Sequence, residues 1–394
     1  MDKKWVMIPD VLFFQERPGV RNIQYTNEGV KLLNVANLVD GRVDLSTSDR
    51  YISEDEAYGK YSHFLCDDGD FIVASSGIKV EYIDKKMGFI DKSMLPLCMN
   101  TSTIRFKVLN PEELRIRYFM YYLKSMHFKG QLFKLITGSA QLNYGPSHLK
   151  QMKMPLISTD KQDEIINNLD KLQRIIDARN EELLKLDELI KARFVELFGD
   201  PRINPLGYDT KELGKTCTVI TGNTPSRKVP EYYGDYMEWI KTDNIVSGVL
   251  NPTEAAECLS ESGVNEGRCV DENAILMACI AGSIASIGRV CVTDRRVAFN
   301  QQINAIVPGE YNTLFLYILL QISKDYLVED INMALKGILS KSKLEEKVFI
   351  VPPMELQNQF ADFVKQVDKS KVVVQKALNE TQTLFDSLMQ EYFG

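Results

Sequence analysis

A chain of 394 residues has room for two or three domains, each large enough for a core of its own. Hydrophobic residues make up 44% and charged residues 26%, an ordinary globular balance; the opening MDKKWVMIPD lacks a signal-peptide apolar run, and residues 274–288, the least charged stretch, are too short for a bilayer span. A net charge of −7 speaks against a nucleic-acid partner until it is mapped: residues 158–200 carry seven basic and eleven acidic groups, residues 354–394 carry four and six, and the remaining 310 residues are nearly neutral at −1.

In chain order, the first expected strands are GVKLLNVANL from Gly29, DFIVASS from Asp70 and STIRFKVL from Ser102, β-branched runs bounded by turn formers. A short helix follows in PEELRIRYFMYYLKS from Pro111, and Pro155 marks a junction. Residues 158–200 then read as one long helix, because Ile165, Leu169, Leu172, Ile176, Leu183, Leu186 and Ile190 recur at spacings of three and four. Beyond residue 200 the pattern restarts. Strands are expected in YMEWIKTDNI from Tyr236, AILMACIA from Ala274, GRVCVT from Gly288 and INAIVP from Ile303, and a helix in NTLFLYILLQIS from Asn312. After Pro352-Pro353 a second long helix carries Phe360, Val364, Val367, Val374, Leu378, Phe385 and Leu388 on one stripe.

The restart is an internal repeat. VELFGD from Val195 and QEYFG from Gln390 align at Phe198-Gly199 and Phe393-Gly394, an offset of 195 that Gln162 and Gln357 share. Each long helix is expected to run roughly 50 Å. Their stripes match in length and phase, which predicts an antiparallel coiled coil with Ile165 near Tyr392 and Leu197 near Phe360. Arg179 against Leu378, Lys371 against Leu186 and Arg193 against Val364 would be mixed layers that fix the register. Two amphipathic helices on separate cores are the alternative. The fold class expected is α+β: two α/β domains, at 1–157 and 201–353, and two helices, at 158–200 and 354–394, in a pseudo-two-fold repeat.

No catalytic signature is present. The GKT at residues 214–216 lacks the first glycine of a P-loop, since that position is Asp209. The dinucleotide, zinc-protease and nucleophile-elbow motifs are absent, as is the Pro-Pro-Tyr/Phe motif of amino-methyltransferases. The seven cysteines form no Cys-x-x-Cys pair, and His63, His127 and His148 do not cluster, so no metal, no cofactor and a reducing, cytoplasmic setting are expected. Glu181-Glu182 and Glu345-Glu346 read as solvated helix faces.

Several segments together resemble the specificity subunit family of type I restriction–modification enzymes, over almost the whole chain. TGNTPSRK from Thr221 and EYYGDYMEWIKTDNI from Glu231 resemble the opening of that family's target-recognition domain, with Trp239 in its strand and Asp243-Asn244 after it. AGSIASIGRV from Ala281 is similar to its glycine loop, FNQQINAI from Phe299 to its Asn-Gln strand, and GSAQLNYG from Gly138 to the segment before the conserved helix; KGILSKSKL from Lys336 is a weaker match. The first half departs most, with PGVRN from Pro18, SSGIKV from Ser75 and MNTST from Met99 at those places.

The resemblance implies that the halves are target-recognition domains, each reading one half-site of a bipartite double-stranded DNA target with an unread spacer. It implies that the helices dock two methyltransferase (modification) subunits, that a restriction–translocase subunit joins them, and that methyl donor, ATP and magnesium belong to those partners. Readout by amide and cationic side chains makes candidates of Arg17, Arg21, Lys79, Asn100, Gln141 and Asn143 in the first half. Arg227, Lys228, Lys241, Arg289, Asn300, Gln301 and Gln302 are those of the second. Each reads equally as a surface or turn residue, Asn100 and Asn300 as turn formers above all, and Trp239 as core. A type IIB-like specificity subunit fits the same residues, and a coiled-coil scaffold with two protein- or sugar-binding arms is the alternative without DNA.

Overall fold

The computed structural model describes residues 3–16, 19–136, 143–329, 331 and 337–394. The chain divides into two compact units, Met1–Ala178 with Leu378–Gly394, and Arg179–Ala377.

The first unit contains β1 (Lys4–Met7), β2 (Leu12–Glu16), β3 (Val30–Leu33), β4 (Tyr51–Ile52), β5 (Phe71–Ala74), β6 (Met87–Phe89), β7 (Leu97–Met99) and β8 (Thr103–Val108). Helices α1 (Ile116–Lys124) and α2 (Met126–Leu135), then β9 (Lys153–Leu156), lead into the long helix α3 (Thr159–Phe198). One antiparallel sheet has the order β2-β8-β5-β6. A second has the order β4-β3-β7, with β3 and β7 parallel. The antiparallel pair β1-β9 ends just before α3.

The second unit repeats this plan. It contains β10 (Thr210–Glu212), β11 (Cys217–Thr221), β12 (Met237–Ile240), β13 (Cys258–Leu259), β14 (Cys269–Val270), β15 (Ile275–Ala278), β16 (Val290–Val292), β17 (Val297–Phe299) and β18 (Ile303–Pro308). Then come α4 (Thr313–Ile322), β19 (Val348–Ile350) and the long helix α5 (Met354–Phe393). The order β11-β18-β15-β16 matches the first sheet strand for strand, and β12 lies parallel to β17 as β3 does to β7.

Strands β5 and β15 are buried throughout, and their period-two alternation divides two cores in each unit. Phe71 and Val73 face one cluster and Ile72 and Ala74 the other; Ile275 and Met277, against Leu276 and Ala278, do the same.

Each long helix contributes to both units. In the first unit Ile165, Leu169 and Ile176 share a core with Phe385, Tyr392 and Phe393, and Leu172, Leu378 and Leu388 pack against it. Asn168 Nδ2 donates to Tyr392 Oη at 3.3 Å. In the second unit Ile190, Phe194 and Phe198 share a core with Phe360, Val364 and Val367, and Leu186 packs against it. Leu183 is half-buried and Val374 buried. Lys371 pairs with Asp187 at 2.9 Å, Arg193 lies 6.0 Å over the Phe363 ring, and the Phe194 and Phe360 rings are 5.5 Å apart. Numbers rise on one helix as they fall on the other, so the pairing is antiparallel. The expected seam ends on Leu197, whereas the fully buried residues are Phe194 and Phe198. A straight helix turns every 3.6 residues, so a 3.5-residue stripe drifts by about one position over several turns.

The Phe-Gly ends are anchors. Phe198 sits 4.9 Å from Phe315 on α4, and Phe393 sits 5.2 Å from Tyr118 on α1. Gly199 ends α3 at φ +70°, and a Cβ there would meet Pro205 at 2.4 Å. Among the described residues no helix is long and apolar enough to cross a membrane, and no group of three His, Cys, Asp or Glu could hold a metal.

Candidate nucleic-acid interface

In the second unit three turns converge beside Trp239. After Ile240 the chain enters a short 3-10 turn, Thr242–Asn244, where Asn244 Oδ1 accepts the Lys241 N–H at 2.9 Å. The Asn300 N–H donates to Ile240 O at 3.0 Å, so the Asn-Gln turn sits against the same strand end. The glycine turn lies over it: a Cβ on Gly222 would stand 2.2 Å from Asn300 O, a distance only glycine avoids. Thr224 Oγ1 then donates to Gln301 Oε1.

The side chains form a cationic cluster on an aromatic floor. The Arg227 guanidinium lies 4.3 Å over Tyr233 and 5.2 Å over Trp239, and Lys241 lies 5.1 Å over Trp239. Both cations pair with Glu257 at 2.7 Å. Hydrogen bonds from Arg227 and then Lys241 pull the Glu257 carboxyl down to about 2. Trp239 is buried and its Nε1–H donates to Asn223 O at 3.3 Å. Arg289 is half-buried and donates to Thr242 O at 3.1 Å, which ties it to the turn after Lys241. Lys228 and Gln301 are exposed, and Gln302 is half-buried. Asn300 is buried; its Oδ1 accepts the Gln302 N–H at 3.0 Å and its Nδ2 donates to Gln302 Oε1 at 3.3 Å.

The first unit carries the same frame with other side chains. Asn37 Oδ1 accepts the Asn34 N–H at 2.9 Å, and the Asn100 N–H donates to Leu33 O at 3.0 Å. Leu32 N–H donates to Arg50 O at 2.8 Å, as Trp239 N–H does to Glu257 O at 3.1 Å. Ala74 N–H donates to Lys86 O, as Ala278 N–H does to Arg289 O. Asn34 therefore stands at the place of Lys241, Arg50 at that of Glu257, Asn100 at that of Asn300 and Lys86 at that of Arg289.

The sequence candidates of this unit fall less tightly together. Lys79 is exposed and caps the 3-10 turn Val80–Lys85, while Lys86, which the sequence reading passed over, holds the corresponding place and donates to Leu38 O at 2.7 Å. Arg21 is exposed, with its N–H bonded to Gln24 Oε1 at 3.0 Å. Asn143 is exposed and bridges to Ser76. Asn100 is fully buried, donating to Asn34 Oδ1 at 2.7 Å and Tyr25 Oη at 3.3 Å. Arg17 and Gln141 lie outside the described residues. Sequence reading also missed Asn34, Arg50 and Glu257. The spacing Asn34-x-x-Asn37 against Lys241-x-x-Asn244 is the signal that was available for the first.

The cluster offers exposed donors and amides without a nucleophile–base pair, a set suited to base edges and phosphates. The family model for the type I restriction modification DNA specificity domain matches residues 24–187 and again 205–381. The chain belongs to this family.

The two matches to the DNA specificity domain fall one on each half of the internal repeat. The specificity subunit of the type I restriction enzyme HindI of Haemophilus influenzae is 33% identical over 120 residues, covering 30% of this chain and 25% of that protein. The MjaIX specificity subunit of Methanocaldococcus jannaschii is 22% identical over 330 residues, 77% of this chain and 73% of that one. The crystal structure of a type I restriction-modification S subunit from M. genitalium shares the fold, with a TM-score of 0.59 at 16% identity over 100% of this chain and 97% of that chain.

Proposed function

We propose that this chain is the non-catalytic, DNA-reading subunit of a type I restriction–modification assembly. Residues 1–157 and 201–353 act as target-recognition domains for the two halves of a bipartite duplex site with an unread spacer. The helices at 158–200 and 354–394 dock two methyltransferase subunits, and a restriction–translocase subunit joins that core. Methyl transfer and ATP use belong to those partners.

The observation that supports this most is one backbone frame built twice with different side chains at corresponding places. Two readers of that kind suit two different half-sites. Arg21, Lys79 and Asn143, with Arg227, Lys228, Lys241, Arg289, Gln301 and Gln302, are the proposed contacts, joined by Arg17 and Gln141. Asn300 is buried with both amide atoms bonded to Gln302, and Asn100 is buried with its Nδ2 bonded to Asn34 and Tyr25, so they serve by shaping the turns.

Methylome sequencing of cells expressing the chain with its cognate methyltransferase tests this. A bipartite methylated motif is the expected result, and exchanging residues 201–353 for those of another family member should change one half of it only. No motif, or a change in both halves, would overturn the proposal.

A further inference from the structure

Glu257 and Arg50 occupy one position in two copies of the frame. Each precedes a short strand, β13 or β4, that pairs with the strand leading into the 3-10 turn. Each carbonyl accepts the N–H of the buried residue on that strand, Trp239 or Leu32. The side chains are opposite in charge. Glu257 bridges Arg227 and Lys241 at 2.7 Å each, across the Tyr233 and Trp239 rings. Arg50 is exposed, lies 5.3 Å over the Tyr25 ring, and has no ion pair among the described residues.

The difference has a physical consequence at a phosphate backbone. A free cation that neutralises a phosphate releases a condensed counterion and steepens the salt dependence of binding by about 0.9. A cation already paired with a carboxylate must break that pair first. A bidentate carboxylate–guanidinium geometry also fixes the plane of the guanidinium, which a base edge needs and a phosphate does not.

We propose that Glu257 is a positioning residue for DNA recognition: it withholds Arg227 and Lys241 from indiscriminate phosphate binding and holds them for base edges, while Arg50 at the same place in the first unit supplies a phosphate contact instead. This inference rests on the DNA-reading function proposed above. It assigns a role to an acidic residue, which charge counting alone would set against DNA binding.

Binding of the full chain, assembled with its methyltransferase subunits, to cognate and scrambled duplexes across a range of salt concentrations tests it. Glu257→Gln keeps shape and removes charge. It should tighten binding to the scrambled duplex severalfold, steepen the salt slope by about one to two, and lower the cognate-to-scrambled ratio. Adding Arg227→Ala should return part of that steepening. Arg50→Glu should make the slope shallower by about one on both duplexes. Thermal midpoints serve as the folding control. Wild-type slope and discrimination in a folded Glu257→Gln complex would overturn the positioning role while leaving the DNA-reading function standing. A wild-type complex with no preference for any bipartite duplex would remove that function and this inference together.

Discussion

Gln162 and Gln357 make the same three hydrogen bonds, each in its own unit. The Gln162 Oε1 accepts the Arg115 N–H at 2.8 Å, and its Nε2 donates to Glu113 O and Ile157 O at 2.8 Å. The Gln357 Oε1 accepts the Asn312 N–H at 2.9 Å, and its Nε2 donates to Glu310 O at 3.5 Å and Pro352 O at 2.8 Å. Arg115 and Asn312 are the residues that open α1 and α4, so one amide ties the start of each long helix to the start of a short one. Glutamine suits this because one planar group supplies two donors and an acceptor.

Replacing either amide with an apolar side chain strands buried backbone groups. Gln162→Leu and Gln357→Leu should each lower unfolding stability by about 1–3 kcal/mol, read as matched shifts in urea midpoint. A loss in one variant only would mean that the repeated geometry is not a repeated energy.

The glycine turn should be intolerant at one position and tolerant at another. Gly222→Ala drives a Cβ to within 2.2 Å of Asn300 O and 2.5 Å of Phe299 O, forcing the glycine and Asn-Gln turns apart. Gly282 has open space around the same added atom. DNA titrations should show at least a tenfold loss for Gly222→Ala, about 1.4 kcal/mol, and none for Gly282→Ala.

The helix ends carry core residues. Phe198→Ala and Phe393→Ala each remove a buried ring from an aromatic cluster and should cost about 3–5 kcal/mol, measured by denaturant unfolding. Leu384→Ala, at an exposed helix position, should stay within about 0.5 kcal/mol of wild type.

The Glu257 carboxyl titrates at about 2 in the folded chain, below the ordinary 4.5. A depressed carboxylate contributes stability above its unfolded value and loses it as pH falls through its folded value. The stability difference between wild type and Glu257→Gln should therefore be constant from pH 7 to about 4.5 and vanish near 2. More than a third of this side chain is exposed, so screening keeps the difference small. The shape of the pH profile, followed by thermal midpoints, is what the pairing predicts; a difference still constant at pH 2 would contradict it.

Much of the framework was legible because it is periodic or local. The helix stripe placed α3 and α5, and β-branched runs placed β5, β8, β15 and β18. The shared offset of Gln162 and Gln357 located the repeat before any contact was known. The candidate surface was less legible because turns change length. Asn100 and Asn300 correspond at an offset of 200, whereas Arg50 and Glu257 correspond at 207. No single shift aligns both, and MNTST from Met99 hides the asparagine that FNQQ from Phe299 displays. Lys86 was passed over for Lys79 for the same reason: only the bond from Ala74 shows which lysine stands where Arg289 does.

The frame beneath the candidate surface is held by main-chain N–H groups, by Asn37 and Asn244, and by Asn100 and Asn300. The main-chain bonds recur in both units while the side chains above them change: Asn34, buried and bonded to Leu32 and Asn100, exchanges with Lys241, and the exposed Arg50 with Glu257. Such a design separates inheritance of shape from inheritance of target. Under the proposed function, point substitution at a few projecting positions would let preferences drift while the polypeptide keeps folding as before.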